Sequence, residues 1–432
     1  MRELDFSITG WLASLETDPI ASSTFGSLCI DAGGVSVTEV EDTIARTVRS
    51  NIYVSAYPMA RWLLLNWWRL RWEPRREGKS LDWSDAHSMA AIGDGYAWPA
   101  LELASDGDFI TLRLEMEQTP DAAAIRYLRD VSVHVPGAAF EAAVERFVEQ
   151  VLARLSALVP EHRALHEIWA ELLEERADPA LSTLCRWQAL AGIDPGAASD
   201  EWLAVVRKLS EELGTTAADE VTALLPDLSD GFETIHRTIE EMRASPLRVN
   251  LTWVGDHPPA APGSELPWQK GMRLAAAVRK QLHIDHGPVS DETLSDVLEV
   301  KLPLQISPPG QRRALGGGYR NGAADGRTAV LVPSPRPDNQ RFYLARLIGG
   351  ALLAGAGEHL LPITRADTAF QKFERAFAQE LLCPWSDLNA FIDEHGSDDD
   401  GIAEAAEYFR VSQRLIESTL VNKRKRPREL LE

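Results

Sequence analysis

The sequence has few cysteines, no long apolar run and a deficit of positive charge. Its three cysteines, Cys29, Cys185 and Cys383, are too widely spaced for a disulfide framework or a cysteine metal site. The longest apolar stretch, residues 344–357, contains Arg346 and falls short of the ~20 residues that span a bilayer. No positively charged segment leads into an apolar core at the N-terminus. We therefore expect a reduced, soluble, cytoplasmic protein without a membrane partner.

Acidic residues outnumber basic ones, with 65 Asp and Glu against 44 Lys and Arg and a net charge of −21. Residues 161–260 hold 19 acidic and 8 basic residues, a net charge of −11. Because nucleic-acid affinity comes mostly from basic side chains, this charge disfavours a nucleic-acid partner. The C-terminal run Lys423, Arg424, Lys425, Arg426 and Arg428 reverses the sign locally and is interpreted as a solvated tail.

Turn residues and hydrophobic periodicity predict an α+β protein. Two hairpins are predicted, one turning at Gly33-Gly34 and one at the Ser-Asp-Gly of residues 105–107. A helix is predicted over residues 56–72, and apolar residues at spacings of three and four predict another after Pro136. The first region therefore combines strands and helices.

Beyond the first region, helical periodicity predicts an acidic connector and then a compact third domain. Helices are predicted at residues 165–175, 181–190, 200–213 and 232–242, and a proline-rich linker at 254–267. Short strands are predicted at residues 302–306 and 328–332. The predicted organisation is a mixed α+β domain of unknown function at 1–158, an acidic helical connector at 159–253, a mostly helical domain with a small sheet at 268–422, and a basic tail at 423–432.

Tryptophan and arginine alternate along residues 61–76, a pattern with two interpretations. Arginine stems can cover the indole rings of a buried helix, or indole and guanidinium groups can stack bases on a surface. We favour core packing. The nearby Asp82, Asp85 and His87 are candidates for acid/base chemistry, although a structural role is favoured for them too.

Two short motifs predict loops rather than ligand sites. The Gly-Gly-Gly of residues 316–318 lacks the Lys-Ser/Thr that completes a phosphate loop, so a flexible turn is expected. The His-Ile-Asp-His of residues 283–286 has no standard metal spacing, so a turn at a helix end is expected.

Two segments of the third domain have the most specific pattern. Residues 340–353 are Gln-Arg-Phe-Tyr-Leu-Ala-Arg-Leu-Ile-Gly-Gly-Ala-Leu-Leu, and residues 371–384 are Gln-Lys-Phe-Glu-Arg-Ala-Phe-Ala-Gln-Glu-Leu-Leu-Cys-Pro. Their order resembles the ImmA/IrrE-type (DUF955) metallopeptidase family, which carries Arg-Phe-x-Leu-Ala-His-Glu-Leu-Gly-His and then Glu-x-x-Ala-Asn-x-Phe-Ala-x-x-Leu-Leu-Met-Pro. The resemblance covers residues 268–422 and implies a zincin-like fold for that domain.

The resemblance also implies a zinc site, but this chain departs from it at four positions. Two histidine ligands correspond to Arg346 and Gly350, the catalytic glutamate to Leu347, and the glutamate ligand to Gln371. Glycine has no ligand atom, leucine cannot accept a proton, and arginine repels a divalent cation. We therefore expect no metal, no other cofactor and no catalytic residue at this degenerate site.

Three nearby residues remain candidates for binding: Arg346, Glu374 and His359. Arg346 is expected to project into the former groove, because the family has a ligand there. Its guanidinium group would pair with Glu374 or Glu380, or bind a carboxylate of a bound peptide.

The sequence leaves three functions open. The favoured one is a catalytically silent, peptidase-like regulatory or sensing protein with a protein partner. The resemblance implies a bacterial setting in gene regulation, mobile elements, toxin–antitoxin pairs or phage defence. A nucleic-acid-associated regulator is the first alternative, based on two helices joined at Val411-Ser412. A hydrolase with a displaced site is the second.

Overall fold

The structure, a computed structural model, describes residues 3–76, 78, 80–116, 123–254, 265–306, 314–320, 326–355 and 357–426. Helices predominate among them and are accompanied by small antiparallel sheets, so the α+β prediction is confirmed. No helix in these ranges is both long and apolar enough to cross a bilayer. Most of the predicted linker 254–267, and the tail from residue 427 onwards, lie outside the described residues.

The helices are α1 (Pro19–Ser23), α2 (Ala56–Leu65), α3 (Trp67–Trp72), α4 (Leu81–His87), α5 (Gly137–Leu158), α6 (Ala164–Ala177), α7 (Pro179–Leu190), α8 (Asp200–Leu213), α9 (Thr215–Leu224), α10 (Gly231–Arg243), α11 (Pro267–Gln281), α12 (Asp291–Leu298), α13 (Pro337–Leu353), α14 (Ala369–Leu382), α15 (Trp385–His395), α16 (Asp399–Phe409) and α17 (Gln413–Asn422).

The strands are β1 (Leu4–Trp11), β2 (Phe25–Ala32), β3 (Val35–Ser36), β4 (Val40–Asp42), β5 (Thr47–Arg49), β6 (Ile52–Ser55), β7 (Glu102–Ser105), β8 (Phe109–Leu114), β9 (Ile125–Tyr127), β10 (Val131–Pro136), β11 (Arg248–Asn250), β12 (Gly316–Arg320), β13 (Arg327–Leu331) and β14 (Leu360–Ile363).

The described residues form two compact units that meet in the sequence between Leu203 and Ala204, within α8. The segment predicted as a connector, residues 159–253, is therefore divided between them. Its first helices, α6 and α7, add Leu165 and Cys185 to the core of the first unit. Val249 of β11 belongs instead to the core of the second unit. Apolar burial thus places the beginning and the end of this segment in different units.

The first unit contains three antiparallel sheets, ordered β1-β2-β3 with β6 beside β2, β10-β8-β7, and β5-β4-β9. Both predicted hairpins are present. At the first, Gly33 and Gly34 have φ of 63° and 83°, which glycine adopts without steric cost. Helix α5 has the predicted amphipathic period, since Phe140, Val144 and Phe147 on its inner face are fully buried.

The tryptophan-rich stretch packs in this core. The predicted helix over 56–72 is in fact two helices, α2 and α3, which are separated by Asn66. The side chains of Trp62, Trp67 and Trp68 are buried, which agrees with core packing. The guanidinium carbon of Arg71 lies 4.1 Å from the ring centroid of Trp72.

His87 has a structural position beside this stretch. Its Nε2 atom lies 3.0 Å from Glu73 Oε2 and its Nδ1 atom 2.7 Å from the Leu103 carbonyl. The imidazole ring stacks on Trp83 at a centroid distance of 4.3 Å. With both ring nitrogens engaged and the side chain fully buried, His87 is oriented for packing rather than for acid/base chemistry.

The second unit has one antiparallel sheet, ordered β11-β13-β12-β14. Two sequence predictions are wrong here. The Gly-Gly-Gly of residues 316–318 is not a turn but the start of β12, a central strand. Leu302–Ile306 forms no strand, because the Gln340 side chain accepts from the Leu304 N–H at 2.8 Å and donates to its carbonyl at 3.1 Å. The turn predicted after α11 is present, with His283 at φ 58°.

Glycine is required in β12 because helix α13 lies close to the strand. A Cβ atom on Gly318 would lie 2.6 Å from Thr328 Cγ2 and 2.8 Å from Leu347 Cδ1. The missing side chain therefore makes room for Leu347.

We expect Gly318→Ala to lower the free energy of unfolding by about 1–3 kcal/mol, because the added methyl group overpacks this contact. Urea unfolding of the full chain measures the change. The matched control is Gly355→Ala, which has no atom within 4 Å of an added Cβ and should change stability by less than about 0.5 kcal/mol. Equal effects of the two substitutions would contradict the close packing of α13 on β12.

Candidate functional site

The candidate site lies where α13 and α14 face each other. Arg346 and Gly350 are one turn apart on α13 and therefore share a face. On α14, Gln371 and Glu374 are likewise almost one turn apart. The N-cap Thr368 starts α14, since its Oγ1 atom accepts a hydrogen bond from the Gln371 N–H at 3.3 Å.

Arg346 joins the two helices through one terminal nitrogen. Its Nη2 atom donates to the Thr364 carbonyl at 2.9 Å and to Gln371 Oε1, and it lies 3.3 Å from Glu374 Oε2. Gln371 is fixed at both ends of its amide: its Oε1 also accepts from the Thr364 N–H, and its Nε2 donates to the Pro362 carbonyl, each at 2.9 Å. The Arg346 side chain is 8% exposed and that of Glu374 0%. The groove that the sequence predicts beside Arg346 is therefore closed.

Gly350 provides space in the site because it has no side chain. A Cβ atom at this position would overlap Glu374 Oε1, so the carboxyl group occupies the space beside the glycine. The three positions that the resemblance equates with zinc ligands, 346, 350 and 371, thus surround one point. The side chains of Arg346, Gln371 and Glu374 occupy the space between these positions.

Sequence reasoning missed a further member, Glu220. It lies on α9, a helix that was not predicted, and accepts a hydrogen bond from Thr368 Oγ1 at 2.8 Å. The sequence contained a signal for this residue. Glu220 lies three residues after Ala217 and four before Leu224, so it shares a helix face with these two apolar residues, and both are buried in the structure. A carboxylate on the apolar face of a helix indicates a buried polar site. Arg346, Gln371, Glu374 and Glu220 are called the Arg346 cluster below.

Burial dominates the electrostatics of the Arg346 cluster. It raises the pKa of Glu220 to about 7, against the hydrogen bonds from Thr368 and Gln371. It also raises the pKa of Glu374, to about 8, although Arg346 favours the carboxylate; the charge of Glu220 raises it further. Glu374 Oε1 and Arg346 Nε have no hydrogen-bond partner among the described residues. The ion pair is therefore only partly compensated.

Other predicted residues lie apart from the cluster. The His359 side chain is exposed, and its backbone N–H donates to the Leu213 carbonyl at 2.8 Å. Glu380, the alternative partner for Arg346, instead accepts from the Trp385 N–H at 3.2 Å. Leu347 is fully buried against Gly318. Only Arg346, Gly350, Gln371 and Glu374 come together.

The described residues include no group of three or more His, Cys, Asp or Glu side chains placed to hold a metal ion. Comparison with protein-family models, curated proteins and solved structures finds no match for this chain. The groups of the Arg346 cluster cross-link α13 and α14. Its two carboxyl groups have raised pKa values, so they are protonated at a higher pH than exposed carboxyl groups.

The described part of the basic tail pairs internally. Lys425 Nζ lies 3.1 Å from Asp393 Oδ1, and Arg426 Nη2 lies 3.2 Å from Asp399 Oδ1. Lys423 Nζ lies 5.4 Å from the ring centroid of Trp385. Three of the four cations at 423–426 are therefore engaged by α15 and α16, which does not favour a phosphate-binding surface there.

The raised pKa of Glu220 predicts a pH-dependent stability. Because the folded protein holds the proton more tightly than the unfolded chain, this contribution is complete below the ordinary pKa of 4.5 and is lost as the pH rises through about 7. The free energy of unfolding should therefore decline between pH 5 and pH 8. Glu220→Gln, which cannot ionise, should make the decline measurably smaller in urea titrations at the two pH values.

The matched control is Glu233→Gln, at an exposed position on α10, which should keep the wild-type decline. If Glu220→Gln and Glu233→Gln give the same pH dependence, Glu220 does not titrate as a buried group.

Proposed function

We propose that this chain is a catalytically silent, peptidase-like protein that acts in regulation by binding another protein. One observation carries the proposal: the Arg346 cluster lies at the point where the ImmA/IrrE-type resemblance places zinc. A bacterial setting such as mobile-element control, a toxin–antitoxin pair or phage defence belongs to the same proposal.

The spatial convergence supports the resemblance independently of the sequence pattern. Positions 346, 350 and 371 are spread over 26 residues of sequence, yet Arg346 contacts Gln371 directly, and Glu374 lies against both Arg346 and Gly350. A chance alignment of short motifs would not require these three positions to meet.

The chemistry of the same positions argues against hydrolysis. A guanidinium group at 346 repels a divalent cation and presents no lone pair to it. The position of the catalytic base holds Leu347, which is buried against β12. What remains is a mechanical role, since the ion pair joins α13 to α14 as a metal would. A folded module without catalysis is suited to recognition.

The proposal predicts that the protein neither binds zinc nor cleaves peptides. After incubation with excess Zn²⁺ and desalting, elemental analysis should find far less than one zinc per chain, and a quenched fluorescent peptide library should remain uncut. One zinc per chain that disappears in Glu374→Ala or His359→Ala would overturn the proposal.

A restored variant serves as the positive control. Arg346→His, Gly350→His and Gln371→Glu supply two imidazoles and a carboxylate, and Glu374→Ala removes the side chain that would overlap a residue at 350. Combined, they should bind one Co²⁺ or Zn²⁺ per chain, with the visible spectrum of tetrahedral cobalt. The matched variant with Gly350→Ala in place of Gly350→His should bind at least tenfold more weakly. A folded restored variant without metal affinity would contradict the assignment of these positions.

A further inference from the structure

The first unit contains an open cavity of about 620 Å³ that the Arg346 cluster does not involve. It is bordered by α2, α3, α4, α6 and the segment after α7, all within residues 1–203. This volume lies in the range of ligand pockets, roughly 300–1,000 Å³.

Part of the cavity lining is apolar. Leu64, Leu65, Trp68, Ile168 and Leu172 all contribute to it. Leu65 is 48% exposed, although it is a large aliphatic residue. The Trp68 ring is fixed in place because its Nε1 atom donates to Glu175 Oε2 at 2.6 Å. A ligand that covers a preformed apolar lining of this kind binds favourably, because apolar surface is removed from water.

The charges around this lining are mostly of one sign. Five carboxylates contribute to the lining, and Arg69 is the one described cation beside them. Arg69 is already satisfied, since it is paired with Glu73 at 2.7 Å and with Asp82 at 2.8 Å. The side chains of Asp85 and Glu171 are exposed and form no ion pair with any described residue. The excess negative charge repels nucleic acid and favours a cation.

We propose that this cavity binds a segment of a partner polypeptide in which arginine or lysine alternates with aliphatic residues. The aliphatic side chains would cover Leu65 and Ile168, and the cationic groups would pair with Asp85 and Glu171. A small cation alone would leave the apolar lining in contact with water. The inference depends on the first unit only, so it stands or falls separately from the zinc prediction.

Isothermal titration calorimetry with the full-length protein tests the proposal. The probe is the peptide acetyl-Leu-Arg-Leu-Arg-Leu-amide, titrated in 50 mM and 200 mM salt. We expect binding that weakens several-fold at the higher salt concentration, because exposed charges are screened. The matching peptide with glutamate in place of arginine should not bind. Agmatine, which provides the guanidinium group without the aliphatic residues, should bind at least tenfold more weakly than the basic peptide.

Substitutions locate the site. Asp85→Asn and Glu171→Gln should each weaken the peptide about two- to fivefold, as expected for exposed ion pairs, and Leu65→Ala should weaken it as well. The control is Glu174→Gln, an exposed residue of the same helix that does not line the cavity, which should leave affinity unchanged. No binding of the basic peptide at 50 mM salt, equal effects of Glu171→Gln and Glu174→Gln, or equal affinity for agmatine would overturn the proposal.

Discussion

The buried ion pair between Arg346 and Glu374 is the interaction on which the arrangement of the second unit depends. Removing two charges from water is costly, so such a pair persists only where other groups compensate it. Gln371 and the Thr364 carbonyl supply that compensation on the arginine side. Gly350 provides the space for the carboxyl group. These residues thus hold α13 against α14.

The sequence predicted those features that depend on local pattern. The period of α5 and the Gly33-Gly34 hairpin follow from spacing, whereas the closeness of positions 346 and 371 is what the family resemblance implies. The strand at 316–318 could not be predicted, because Gly318 is needed for contact with Leu347, which is distant in sequence. Likewise Leu304 satisfies its backbone through Gln340 rather than through a neighbouring strand. In both segments, contacts with residues distant in the sequence determine the backbone conformation.

The two units differ in the burial of their acidic side chains. In the second unit, Glu220 and Glu374 are withdrawn from water, and burial raises their pKa values. In the first unit, Asp85 and Glu171 remain exposed beside an open, partly apolar cavity. A closed polar cluster contributes to the fold, whereas the open cavity leaves these carboxylates in contact with water. The recognition that we propose uses the first unit, and the Arg346 cluster stabilises the second.

The most direct measurement is a double-mutant cycle on Arg346 and Glu374 with urea unfolding. At pH 9, where Glu374 with its pKa of about 8 is ionised, Arg346→Ala and Glu374→Ala should each cost about 3–5 kcal/mol, because each removes the partner of a buried charge, and the double variant should cost clearly less than their sum. The exposed Lys425–Asp393 pair, at 3.1 Å, is the control and should show a coupling of at most about 1 kcal/mol. Additive effects of the two substitutions, each below about 0.5 kcal/mol, would contradict a structural ion pair between Arg346 and Glu374.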